Sequence, residues 1–232
     1  MKQKKIVSQF GYIITIATAI LTIGTFAIAF MTPPLSGPFC EGICFQYPYT
    51  DIISRFPRDY SWMFPSMIVS MLYVVLMICI HYYAEHEKKI FSHIGVCVAL
   101  MASVILIADY FVQVSVIQPS LLKGETEGIA LLSQYNPHGI FIALEEIGYL
   151  LMSISFFTIV PVFSGKSSVE RSIRITFIIG FLLSVFSLIY ISLKYGVMRE
   201  YIFEVVIISI VWLELIVSSI LLSRVFWKAM KD

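Results

Sequence analysis

The sequence predicts an all-α polytopic membrane protein: one bundle of six transmembrane helices, with both termini in the cytoplasm. Three observations carry that prediction. Of 232 residues, 59% are hydrophobic and only 13% charged, and the mean hydropathy is +0.88. A soluble domain has about 45–50% apolar and about 25% charged residues. Six stretches reach the roughly 20 mostly apolar residues that a helix needs to cross a bilayer core. Of the 31 Asp, Glu, Lys and Arg residues, only Asp109, Glu145, Glu146, Arg174, Glu204 and Glu214 lie inside those stretches. An ordinary soluble enzyme and a disordered chain are excluded. A net charge of +1 offers no field for nucleic acid. The apolar runs are continuous and lack ten-residue alternation, so they predict helices rather than barrel strands.

The predicted spans are 10–31, 63–84, 94–118, 139–163, 173–193 and 201–223, forming a single domain over 1–232. Lys and Arg in the short loops set the orientation. Eleven collect on one side (Lys2, Lys4, Lys5, Lys88, Lys89, Lys166, Arg171, Arg174, Arg224, Lys228 and Lys231) and five on the other (Arg55, Arg58, Lys123, Lys194 and Arg199). The richer side is cytoplasmic, which places the protein in the plasma (cytoplasmic) membrane. The start, MKQKK and an apolar run of about 22 residues, is too long for a signal h-region of 7–15 residues, so the first helix is read as retained.

The first outer loop, 32–62, opens with Thr32-Pro33-Pro34, which stops the first helix. It carries Phe39, Phe45, Tyr47, Tyr49, Phe56, Tyr60 and Trp62. Within it, Ile52, Ile53 and Phe56 predict one face of a short interfacial helix, with Asp51 and Arg55 paired at i, i+4. The aromatics form either a membrane-interface belt or a lid over an outward-facing cavity. Cys40 and Cys44, on the oxidising side, are expected to pair as a disulfide; reduced thiols and a zinc site are the alternatives, the latter lacking a second cysteine pair. Cys79 and Cys97 are expected as small core residues. In the second outer loop, Asn136 is expected to cap the fourth helix and Pro137 to open it.

Small and hydroxyl residues form stripes at helical spacing: Gly11, Thr15, Thr18, Thr22, Thr25, Ala29 and Thr32 in helix one, and Thr176, Gly180, Ser184 and Ser187 in helix five. Such stripes let helix backbones approach closely in lipid. Ser66, Ser70, Tyr73, Met77 and His81 share one side of helix two.

The chemistry is expected at acids in apolar surroundings. Asp109 lies roughly 13 Å, and Glu145 and Glu146 roughly 10 Å, from the outer end of their helices at 1.5 Å per residue. Glu214 lies past the midplane. An ionised carboxylate there costs about 2.5–3.5 kcal/mol on insertion scales. These acids are therefore protonated, face a hydrated cavity or hold a cation, or else they fix helix packing through hydrogen bonds. Gln113 follows Asp109 by one turn. His138, Glu145 and Tyr149 fall on one side at i, i+7, i+11, with Glu146 about 100° around. The candidate ligand- or ion-binding set is Asp109, Gln113, His138, Glu145, Glu146, Tyr149 and Glu214.

No HExxH, G-x-S-x-G, P-loop or G-x-G-x-x-G occurs, so no enzymatic activity, cofactor or metal is expected. The expected function is transporter-like, with an outward-facing acidic site that binds or moves a proton, a cation or a cationic ligand. The alternative is a non-enzymatic binding or accessory protein recognising a lipid, an amphipathic small molecule or a partner membrane protein. The bilayer is the first partner. Six short helices enclose only a small cavity, which favours a homo-oligomer.

Overall fold

A computed structural model describes residues 2–165 and 167–231. Lys166, one of the residues used to orient the chain, lies outside them, and the side chains of Lys2 and Lys4 are likewise not described. Among the described residues, six helices are long and apolar enough to cross a membrane, and there is no strand. We number these helices α1 (Lys2–Met31), α2 (Met63–Tyr83), α3 (Lys89–Val112), α4 (Ile140–Thr158), α5 (Ser168–Tyr195) and α6 (Glu200–Lys231). They form a ring in which each helix packs on its sequence neighbours and α1 closes on α6, while α4 also crosses to α6.

The helices outrun the apolar stretches at several ends. Helix α1 takes in the basic start of the chain, because Lys and Gln are good helix formers and polar side chains at a helix end need no lipid. After α3, a π turn (Gln113–Ile117) and a further helical turn (Gln118–Leu122) extend the rod beyond the predicted end at 118.

The two ends of the ring differ. One end gathers the start of α1, the α2–α3 and α4–α5 connections and the end of α6. There Tyr83 donates to Glu170 at 3.1 Å, and Gly11 lies under the Phe226 ring. The other, the cap end, carries the long 32–62 and 123–139 segments. Asp59 is its keystone: 1% exposed, it accepts from Arg55 Nε at 2.6 Å, Arg58 Nε at 2.9 Å and the Tyr135 hydroxyl at 3.1 Å. The carboxylate beside it raises the Arg55 guanidinium further above its already high range. Burial, above all, pushes the Tyr135 phenol upward, so it donates as a neutral hydroxyl at physiological pH.

Three local expectations are corrected here. Residues 52–55 make a single 3-10 turn rather than an amphipathic helix, and Arg55 turns to Asp59 instead of Asp51. The deep burial of Asp59 decides that choice, since a desolvated carboxylate needs the cation more than an exposed one does. Helix α4 begins at Ile140 after Gly139, not at Pro137. Asn136 spends its side chain on the loop, accepting from the His138 amide at 3.0 Å and donating to the Ala130 carbonyl at 2.8 Å. Cys97 is exposed on α3, whereas Cys79 is buried. Cys40 and Cys44 are joined by a disulfide in the cap.

The hydroxyl stripe of α1 faces inward: Thr15, Thr18, Thr22 and Thr25 are buried. Thr22 and Thr25 return their hydroxyls to carbonyls one turn back, which satisfies them without a partner helix. On α5, Gly180 does something the stripe alone does not predict. A Cβ there would overlap the Glu214 carboxyl, so the missing side chain makes the notch in which that carboxyl sits.

Candidate functional site

Three helices carry four acids to the cap-end half of the ring. Asp109 from α3, Glu145 and Glu146 from α4 and Glu204 from α6 are all at least nine-tenths buried. Glu145 and Glu204 face one another carboxyl to carboxyl at hydrogen-bonding range, with Asp109 close enough to act on both through space. Two carboxyls can bond to each other only when one of them carries a proton. Oε2 of Glu145, Oε2 of Glu204 and Oδ2 of Asp109 accept no hydrogen bond from the protein.

Behind Glu145 runs a directed chain of hydrogen bonds. Tyr110 donates to Glu145 Oε1 at 2.7 Å, and Trp212 Nε1 donates to the Tyr149 hydroxyl at 3.1 Å. The 2.7 Å bond between the two phenols must then run from Tyr149 to Tyr110. Spacing explains the convergence: Glu145 and Tyr149 are one turn apart on α4, and Tyr110 is the neighbour of Asp109 on α3.

Glu146 stands apart. Its Oε2 is paired with Arg199 Nη1 at 2.7 Å, from the turn that joins α5 to α6. Of the acids expected to be protonated, hydrated, cation-bound or hydrogen-bonded within the packing, this one is instead neutralised by a basic side chain of the chain itself. Arg199 sits in a short cap-end turn in the sequence, and the fold brings that turn over the first turns of α4.

Above the acids lies a cavity of about 310 Å³, walled by α1, α4, α6 and the cap. Trp62, Tyr135, Phe141 and Trp212 form its buried interior, and Glu204 supplies the carboxyl on its wall. Phe30 and Phe39, 85% and 42% exposed, stand at its rim with Pro33 and Pro34. The 32–39 segment thus roofs the cavity, and the aromatics of the 32–62 loop pack on the helices and on the second cap segment: Phe39 on Tyr201, Trp62 on both Tyr110 and Trp212, and Phe45 on Tyr135 of the 123–139 segment.

Of the candidate residues read from the sequence, the fold brings together Asp109, Glu145 and Tyr149, with Glu146 beside them. It leaves three elsewhere. Gln113 is committed to the cap, donating to the Leu132 carbonyl at 2.7 Å and accepting from the Gln134 amide at 3.1 Å. His138 is exposed and precedes the helix, so the helical spacing that aligned it with Glu145 does not hold. Glu214 is ten residues along α6 from Glu204, about 15 Å at 1.5 Å per residue, and both its oxygens lack a hydrogen-bond partner in the Gly180 notch. Glu204, Arg199, Tyr110 and Trp212 join the site without having been among the candidates, and Trp62 joins it from the aromatics of the 32–62 loop.

At the opposite end, a second cavity of about 430 Å³ is lined by Glu85, Glu170, Arg224 and Lys228, a mixture of charges with no surplus of one sign. Among the described residues, no group of three or more His, Cys, Asp and Glu is placed to hold a metal ion.

Among the described residues, the fold and site together define an all-helical protein with six helices long and apolar enough to span a membrane, and with an acid cluster under an aromatic cavity at one end. Comparison with protein-family models, curated proteins and solved structures found no match.

Proposed function

We propose that the chain is a plasma-membrane protein with both termini cytoplasmic and the cap end facing outward, whose acidic cavity binds or moves a proton, a cation or a cationic ligand, as a transporter does. The single observation that carries this reading is the Glu145–Glu204 pair beneath the cavity. Two carboxyls sit together in an apolar bundle, Arg199 is engaged with the adjacent Glu146, and one of the pair forms part of the cavity wall. A buried acid cluster without a compensating charge is costly, and such residues inside membranes commonly mark ion or proton routes. The excess of Lys and Arg at the terminal end supports the orientation. Exposed apolar side chains along α5, among them Leu182, Phe186 and Leu193, give the bilayer or a second copy of the chain a face to pack on.

The second reading, a binding or accessory protein that moves nothing, is favoured by the apolar interior of the cavity. Flux separates the two. In proteoliposomes with a trapped pH-sensitive dye, an imposed cation gradient moves protons through the wild type, and Glu145→Gln or Glu204→Gln abolishes the movement. Binding that depends on the same carboxyls without any flux would favour the accessory reading.

A further inference from the structure

We infer that the cap-end cavity receives the ammonium head of a membrane-dissolved amphiphile, held by aromatic faces and the Glu204 carboxyl. This rests on the reading of the acid cluster as a cation site and names the cation's chemical class.

The composition of the wall selects that class. A hard cation such as calcium takes six to eight oxygen ligands in place of its water. Around this cavity Glu204 is the one carboxyl, the other side-chain oxygens are the neutral ones of Thr32, Gln134, Tyr135, Tyr201 and Ser209, and rings dominate the wall: Trp62, Tyr135, Phe141, Tyr201 and Trp212. A weakly hydrated organic ammonium asks for little coordination. It gains from ring faces within about 6 Å of the charge, with the indole ring the best of them. Glu204 supplies the counter-charge: it is 8% exposed, lines the cavity, and its Oε2 accepts no hydrogen bond. A pair that shares one proton carries one negative charge for the ligand to meet, and loss of that proton leaves two. The rim selects the source. Phe30 and Met31, 85% and 82% exposed, end the apolar surface of α1 beside the cavity mouth. A ligand whose tail lies along that surface keeps its tail in lipid while its head turns in under the Pro33-Pro34 roof. The volume of about 310 Å³ is at the small end of ligand pockets, which suits a head and the first few methylenes.

Two of the three tryptophans, Trp62 and Trp212, line the cavity, while Trp227 lies at the far end of α6. Trp227→Phe therefore leaves an intrinsic fluorescence reporter confined to the site. In nanodiscs, octyltrimethylammonium is expected to change the emission of this variant saturably. Octyl glucoside is expected to leave it unchanged, and tetramethylammonium to bind at least tenfold more weakly. Glu204→Gln and, separately, Tyr201→Leu are each expected to weaken octyltrimethylammonium about tenfold. Tyr201→Leu leaves the carboxyls in place, so the response of stability to pH is retained in it. Equal binding of octyl glucoside would overturn the inference, showing an apolar pocket indifferent to charge. Equal binding of tetramethylammonium would overturn the membrane source. No saturable change, with the difference in pH response between wild type and Glu204→Gln intact, would overturn the ammonium assignment and leave the acid site standing. Loss of that difference as well would overturn both.

Discussion

Two groups of buried acids lie at the same end of the bundle and are treated in opposite ways. Asp59, in the cap, has two guanidinium groups and a phenol around it, with no oxygen left unmet. Glu145, Glu204 and Asp109, in the bundle below, have three oxygens that accept nothing, and among the described residues no ion pair reaches them. The contrast shows that this chain can neutralise a buried carboxylate where the fold depends on it. Arg199 makes the same point at closer range, engaging Glu146 and not its neighbour Glu145. The acids left unneutralised beside a cavity are thus the ones expected to respond to something outside the chain.

The comparison can be broken most forcefully in the cap. Asp59→Ala leaves two guanidinium groups and the Tyr135 hydroxyl without their acceptor, and is expected to cost about 3 kcal/mol or more. Reversible unfolding in mixed micelles reads the loss. A cost under about 1 kcal/mol would show that the cap does not depend on this cluster. Next in size is the third environment, the Gly180 notch. Gly180→Ala drives a methyl into the Glu214 carboxyl and is expected to cost about 1–3 kcal/mol. In a Glu214→Ala background most of that penalty should vanish, a coupling that a double-mutant cycle measures. An unchanged penalty would mean that the carboxyl does not occupy the notch. Smaller again is Glu146→Gln, which breaks a pair whose arginine is 28% exposed. The expected cost is about 1 kcal/mol, shrinking in high salt as the exposed guanidinium is screened.

Much of the fold could be read from the residues because length and apolarity alone specify a crossing helix. The acids on α3 and α4 stood out for the same reason: a charge inside an apolar run is rare. Glu204 and Arg199 gave no such signal, since charged residues at the margin of a span are ordinary. What makes them functional candidates is the tertiary approach of α6 and its leading turn to α4. Trp212 looks like any apolar core residue until the ring closes around a cavity, whereas Trp62 stood among the loop aromatics expected as a belt or a lid. His138 was misplaced because Asn136 is an equally good helix cap and loop former, and its bond to Ala130 settles the competition within the loop. Gln113 has the right spacing from Asp109, but the cap backbone claims both ends of its amide.

The central claim is that Glu145 and Glu204 form a cation site rather than a structural pair. The direct test is thermal stability of the purified protein across pH with sodium, potassium, calcium and octyltrimethylammonium, beside Glu145→Gln and Glu204→Gln. A cation that binds only the folded state should stabilise the wild type by about 2.7 kcal/mol at 100 times its Kd. Because it competes with protons for the carboxyls, that gain should grow as pH rises, and both glutamine variants should lose it while remaining about as stable as the wild type without ligand. Strong destabilisation by either glutamine, with no cation or pH response in the wild type, would contradict the account and make the pair a packing device.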